Sequence, residues 1–237
     1  MLAQAFDGFT ARVLQLLERE KTFTADVSHE LRTPLTVIKT SCELLEADPV
    51  LQGKSRSRLA QIVTGIARME QTIEALLFIA RDHPANDKEP VPLAVLVAQT
   101  VALLSPAYAD KALTLHIHIA QDALLQVNRV ALQIVLDNLL RNAFAHTAQG
   151  TIDIDYRERQ LAVTDTGAGI SPQDLRHIFD RRFRGREVTA PGSGLGLDIV
   201  KRIVERCAWE IEVESTPGRG STFRLVFPEG TDISTPQ

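Results

Sequence analysis

Ser28-His29-Glu30-Leu31-Arg32-Thr33-Pro34 decides how the first third of the chain is read. A histidine stands beside a carboxylate, and Thr33 follows one helical turn after His29 on the same face. Phe23, Val27, Leu31, Leu35, Ile38, Leu44 and Leu45 set an apolar stripe through this stretch, and Phe6, Phe9, Val13, Leu16 and Leu17 prolong it toward the start. The spacing predicts one long helix over 5–47, bent after His29 where Pro34 removes a backbone donor. The proline- and glycine-bearing segment 47–53 reads as a turn. A second helix over 55–81 carries Leu59, Ile62, Ile66, Met69, Ile73, Leu76, Leu77 and Ile79 on its apolar side. Two helices cannot bury so wide a stripe by themselves. An antiparallel hairpin that pairs with a second copy into a four-helix bundle does, so a homodimer is expected.

Beyond the hairpin, 83–90 is polar, aperiodic and carries two prolines, and reads as a linker. Helical periodicity returns over 93–104, 130–144 and 197–207, interleaved with strand patterns over 113–119, 151–156, 161–164, 211–215 and 222–227. One sheet covered by one helical layer accounts for this order, giving an α+β class overall. The domain boundaries expected are a helical extension over 1–20, the hairpin over 21–82, the linker over 83–90, the α+β domain over 91–229 and a frayed tail over 230–237.

The bulk composition narrows the function. A chain of 237 residues with 44% apolar content can bury a core, and a net charge of −4 gives no support for nucleic acid as the main partner. Cys42 and Cys207 are far apart and belong to no metal-ligand spacing, so a disulfide framework is not expected and a reducing cytoplasm fits. No apolar run reaches the roughly 18 residues that span a bilayer, and Asp7 and Arg12 break any leader pattern at Met1.

The chemistry-bearing residues of the second region fall in order. Asn138 and Asn142 share one helix face and interrupt an apolar stretch, and their carboxamide oxygens are hard ligands suited to Mg²⁺. A plain polar helix face is the alternative. Asp165 ends a strand and opens Asp165-Thr-Gly167-Ala-Gly169, where a buried carboxylate can accept from the exocyclic amine of adenine. Its glycines allow close backbone approach and positive φ, although Asp-x-Gly is also common in ordinary turns. Gly192-Ser-Gly194-Leu195-Gly196-Leu197 opens a helix whose N–H groups suit a polyphosphate. A dinucleotide fingerprint is rejected there because no strand leads into it. His116 and His118 share one face of a strand, which reads as a surface edge; a metal site there has little support from the sequence.

Taken together, these signatures resemble the cytoplasmic core of a two-component sensor histidine kinase, with a Bergerat-type ATP-binding domain of the sort shared with type II topoisomerases and Hsp90-like chaperones. The resemblance covers the chain from about Thr22 to Pro228. It implies ATP-dependent phosphorylation of His29, assisted by Glu30, and transfer to an aspartate on a response-regulator receiver domain. It also implies a role for Thr33 in regulator dephosphorylation, Asn142 as the more direct Mg²⁺ ligand with Asn138 beside it, and Thr222 near the nucleotide. The segment between Phe179 and Gly192 becomes a lid, with Arg184 aligned to neutralise the transferred group and Arg181, Arg182 and Arg186 competing for that role. Relatives of this kind are mostly membrane receptors, so a cytoplasmic portion of an inner-membrane sensor, anchored outside this segment, is the expectation.

Two departures stand out. Arg182 replaces a usual phenylalanine in the lid, and Ala145 stands where a basic residue is common, leaving His146 as the nearby adenine-side or phosphate-side contact. Three rivals remain at this point: a chaperone- or topoisomerase-type ATPase, a serine kinase of the anti-sigma type, and a degenerate kinase acting as a scaffold. Asn138 disfavours the first because an acidic base is absent there, and the His29 helix is superfluous to the second.

Overall fold

A computed structural model describes residues 35–42, 44–45, 54–80, 87–180, 183 and 196–233. The chain divides into two compact units, Met1–Asp82 and His83–Gln237.

In the first unit, residues 35–42 and 44–45 are helical, and α1 spans Lys54–Ala80. Leu35, Cys42, Leu59 and Ile66 form a buried cluster with Val63 and Ile73 against it, and Lys39 Nζ lies 3.5 Å from Glu70 across the pair. Apolar side chains remain outside this contact: Val37, Ile38, Leu44 and Leu45 on one helix, Ile62 and Met69 on the other, with Leu44 72% exposed. The hairpin therefore carries more apolar surface than its own packing consumes. His29, Glu30, Thr33 and the Pro34 bend, together with the turn over 47–53, lie outside the described residues.

The second unit opens with β1 (Glu89–Pro92) and α2 (Leu93–Leu104), then a short 3₁₀ turn at Ser105–Tyr108. β2 (Ala112–His118), β3 (Leu124–Val127) and α3 (Arg129–His146) follow. After β4 (Gln149–Arg157), β5 (Gln160–Asp165) and one turn of helix, α4 (Pro172–Leu175), come α5 (Gly196–Arg206), β6 (Glu210–Thr216) and β7 (Gly220–Val226). Five strands make one sheet in the order β2-β4-β5-β7-β6, with β2 and β4 parallel and the other neighbours antiparallel. Ile152, Ile154, Leu161, Val163, Phe223 and Leu225 supply its inner face. They lie in one core with Leu96, Leu132, Leu136, Leu139, Phe144, Val200 and Ile203 from the helices. Alternation along the strands sends the polar partners of these residues to the opposite face.

Two expectations about the ends of this domain change. Glu89 and Pro90, expected in the linker, belong to β1, which pairs antiparallel with β3 in a separate two-stranded sheet. The tail expected to fray after 229 is tied down as far as Ile233. Gln126 N–H donates to Thr231 O at 2.7 Å, Ile233 N–H donates to Leu124 O at 2.9 Å, and Tyr156 Oη donates to Asp232. β3 has a free edge that this segment fills, with Leu125 bridged to Asp232 and Thr231 buried.

Candidate functional site

α3 carries the two asparagines. Its start is capped by Asn128, whose side chain accepts from Ala131 N–H at 3.0 Å. At its end Thr147 Oγ1 donates to Ala143 O at 2.8 Å. Asn138 and Asn142 are both half-buried along one face. Asn138 Nδ2 donates to Ile134 O at 2.7 Å, which leaves its oxygen for the site. That oxygen faces the first residue of α5: a Cβ on Gly196 would lie 2.8 Å from Asn138 Oδ1. Glycine at the start of α5 thus keeps the space beside Asn138 open and lets backbone approach the asparagine face.

Asp165 closes β5 and is 5% exposed. Its Oδ1 accepts from Gly167 N–H at 2.8 Å, and Ser221 N–H also reaches the carboxylate. Burial nevertheless outweighs these donors and raises its pKa above the ordinary carboxylate value. A buried carboxylate with remaining acceptor capacity is suited to a neutral N–H donor such as an amino group on a purine ring.

The loop after Asp165 is wedged between the end of α3 and the β6–β7 turn. Ala168 N–H donates to His146 O at 3.2 Å, and Gly218 N–H donates to Ala168 O at 2.7 Å. Gly169 has φ +68°, and a Cβ there would meet Thr216 O at 2.1 Å, so only glycine fits. Gly167 serves through close approach alone: its missing Cβ would meet His146 O at 2.4 Å.

His146 is half-buried at the end of α3, and burial followed by the charge of Lys111 lowers its pKa. The side chain is therefore a neutral imidazole at neutral pH. Lys111 was invisible to the sequence reading. Its Nζ donates to Phe144 O at 2.5 Å, Thr147 O at 2.9 Å and Ala145 O at 3.0 Å, all at the C-terminal end of α3. A basic residue thus stands beside Ala145 after all, supplied from another segment, but its donors are committed to backbone carbonyls. No local pattern connects it to α3, which is 33 residues away at Phe144.

Thr222 lies on the outer face of β7, where its hydroxyl is 3.1 Å from that of Thr164, while Asp165 belongs to the inner face. Ser221 pairs with Asp165 across β5 and β7 and is 7% exposed, with its Oγ 2.9 Å from Ser215 Oγ. The residue of this turn that stands beside Asp165 is therefore Ser221. Counting back by two from the core residue Phe223 would have found it.

The structure brings together Asn138, Asn142, His146, Asp165, Gly167, Gly169 and Gly196 around the α3 face, the β5 end and the start of α5. Arg184, Gly192, Gly194 and Leu195, with the competing Arg181, Arg182 and Arg186, lie outside the described residues. The donor set fits a nucleotide with a hard divalent ion: carboxamide oxygens, a buried carboxylate and glycine-lined backbone.

Such a helical hairpin followed by this sandwich defines a class of phospho-acceptor and ATPase-type modules joined in one chain. Residues 19–84 match the family described as the His Kinase A (phospho-acceptor) domain. Residues 127–231 match the Histidine kinase-, DNA gyrase B-, and HSP90-like ATPase family. The chain belongs to the two-component sensor histidine kinase family. It is 34% identical over 229 residues to the phosphate regulon sensor protein PhoR of Pseudomonas aeruginosa, covering 91% of this chain and 52% of that protein. It is 33% identical over 222 residues to the sensor protein QseC of Escherichia coli K12, covering 89% of this chain and 48% of that one. The chain thus spans about half the length of these relatives. Among solved structures, full-length ShkA in complex with AMPPNP superposes with a TM-score of 0.60 at 24% identity, covering 85% of this chain and 44% of that one. The histidine kinase AdeS of Acinetobacter baumannii superposes with a TM-score of 0.56 at 18% identity, covering 84% and 96% respectively. These two likenesses concern the fold. Among the described residues no helix is long and apolar enough to cross a membrane.

Proposed function

We propose that this chain binds MgATP and transfers the γ-phosphoryl group to His29, from which it passes to an aspartate on a response-regulator receiver domain. The observation that carries the nucleotide half is the buried Asp165 set opposite an asparagine face that Gly196 leaves open. Asp165 accepts from the adenine amine, which selects adenine over a ring bearing a carbonyl there. Ser221 holds the Asp165 carboxylate from β7 through its backbone N–H. Asn142 and Asn138 are the residues to hold Mg²⁺, whose charge offsets that of the polyphosphate.

In the transfer step the neutral His29 Nε2 forms a bond to the γ-phosphorus as the bond to the β,γ-bridging oxygen breaks, and ADP leaves. Glu30 accepts the Nδ1 proton's hydrogen bond and stabilises the imidazolium that results. Arg184 neutralises the transferred group. The same surface, through Thr33 and an oriented water, removes phosphate from the regulator. The exposed apolar residues of the hairpin support a homodimer. We place the signal-input portion and a membrane anchor outside this segment, which makes it the cytoplasmic portion of a sensor.

Incubation with Mg²⁺ and γ-labelled ATP, beside His29→Ala, tests this reading. Acid-labile, alkali-stable label is expected in the native chain and none in the variant. Label that persists in His29→Ala overturns the assignment of the acceptor.

A further inference from the structure

The outer face of the sheet, away from the helices and from Asp165, carries a second cluster that the nucleotide reading does not use. β2 presents His116 and His118 on one face, two residues apart. The parallel register sets Asp153 of β4 against His116 and Asp155 against His118. One potential ligand atom from each of His116, His118 and Asp153 lies within 4.8 Å of the others. His116 Nδ1 is 2.7 Å from Asp153 Oδ1, and the two imidazole rings are 6.1 Å apart between centroids. Both histidines are exposed and Asp153 is half-buried, so solvent ions reach all three.

We propose that His116, His118 and Asp153 form a binding site for a divalent transition-metal ion of the zinc class, separate from the nucleotide site. Two imidazoles and one carboxylate are a ligand set for such ions, with the fourth position left to water. Imidazole nitrogen disfavours Mg²⁺, so the ion that accompanies a nucleotide does not compete. The backbone that carries the ligands is already organised. β2 and β4 are in register over all seven residues of β2, from Ala112 opposite Gln149 to His118 opposite Asp155. Only the two exposed histidines and the half-buried Asp153 need turn for three donors to close on an ion at about 2.0–2.2 Å. In that turn Asp153 exchanges its hydrogen bond with His116 for the ion, and His116 presents a bare ring nitrogen. Asp155 is drawn toward Arg157, at 3.5 Å, and stands beside His118 as an outer partner. β2 is the edge of the sheet, so an ion bound here ties an edge strand to its neighbour. Binding to the folded state alone then raises its stability by mass action.

The test uses the whole chain, free of nucleotide, chelator and phosphate, in excess Mg²⁺. Zn²⁺ is titrated calorimetrically, and Co²⁺ is added as a spectroscopic probe of ligand geometry. The expected result is Zn²⁺ binding that weakens by roughly tenfold or more in His116→Ala, His118→Ala and Asp153→Asn. A Co²⁺ absorption band of low-coordinate type is expected to be lost with it. Zn²⁺ should also raise the unfolding midpoint of the native chain and not that of His116→Ala/His118→Ala. ATP binding in Mg²⁺ reports that each variant is folded, because these residues lie on the other face of the sheet from Asp165. Zn²⁺ binding undiminished in the double variant overturns the proposal, since other histidines would then carry the ion. Absence of Zn²⁺ binding to the native chain overturns it equally and leaves His116 and Asp153 as a hydrogen-bonded surface pair.

Discussion

At the residue scale, Asp165, the proposed adenine contact, carries a cost in stability. Its carboxyl is buried, and burial raises its pKa in the folded chain. The folded state therefore holds the proton more readily than the unfolded chain. The stability linked to this group is present in full below the ordinary aspartate value and is lost as pH rises through the folded value. At neutral pH the ionised carboxylate is thus a burden on the fold. Asp165→Asn should raise the unfolding midpoint at neutral pH, by a margin that shrinks as the pH is lowered toward 4, as measured by thermal melts across pH. The same variant should bind ATP roughly tenfold or more weakly, because a hydrogen bond to a charged acceptor is worth about 1.5–3 kcal/mol. Gly196 makes a second prediction at this scale. A methyl group there meets Asn138 Oδ1 at 2.8 Å, so Gly196→Ala should weaken MgATP binding while leaving unfolding nearly unchanged, read by nucleotide titration and melting side by side.

Among the elements, α3 depends on a lysine that its own sequence does not contain. Three carbonyls at its end are satisfied by Lys111 Nζ, whose pKa burial lowers. Stacking of Tyr108 on Phe144, with centroids 5.0 Å apart, closes the same corner, and Lys111 lies 5.4 Å from the Tyr108 ring centre. Lys111→Met keeps the stem and removes the donors. It should cost about 1–3 kcal/mol and lower the unfolding midpoint by several degrees, as measured by calorimetry. Because α3 carries both asparagines, ATP affinity should fall as well. Cys207 sits buried at the end of α5 with its thiol pKa pushed up to about 11, which makes it a packing residue and not a reactive one.

For the whole molecule, the decisive quantity is the apolar surface of the hairpin unit. Leu35, Cys42, Leu59 and Ile66 satisfy each other, but Val37, Leu44, Leu45 and Met69 do not enter that cluster. Leu44 and Leu45 are 72% and 47% exposed, so the double change Leu44→Glu/Leu45→Glu removes apolar surface without disturbing the buried cluster. Light scattering should then report a monomer in place of a dimer. ATP binding by the second unit should persist, and a dimer of undiminished stability would count against this surface as the interface.

Sequence alone determined the order of the longer helices and of the five main strands, and put forward the candidate site. Period and composition are local, so α2 over Leu93–Leu104 was legible to the residue, and the five strands of the main sheet to within a few. Asn138, Asn142, Asp165, Gly167, Gly169 and Gly196 could be proposed from sequence because their residue types recur at fixed short spacings. Tertiary structure alone decided what depends on long-range pairing. β1 and β3 are too short to show a period and exist by pairing with each other and with the 231–233 segment. Ser221 rather than Thr222 shares the face of Asp165, because strand register fixes which neighbour does. Lys111 reached α3, and Asp153 joined His116 and His118, by the same means. A sheet brings together donors that no stretch of sequence holds side by side.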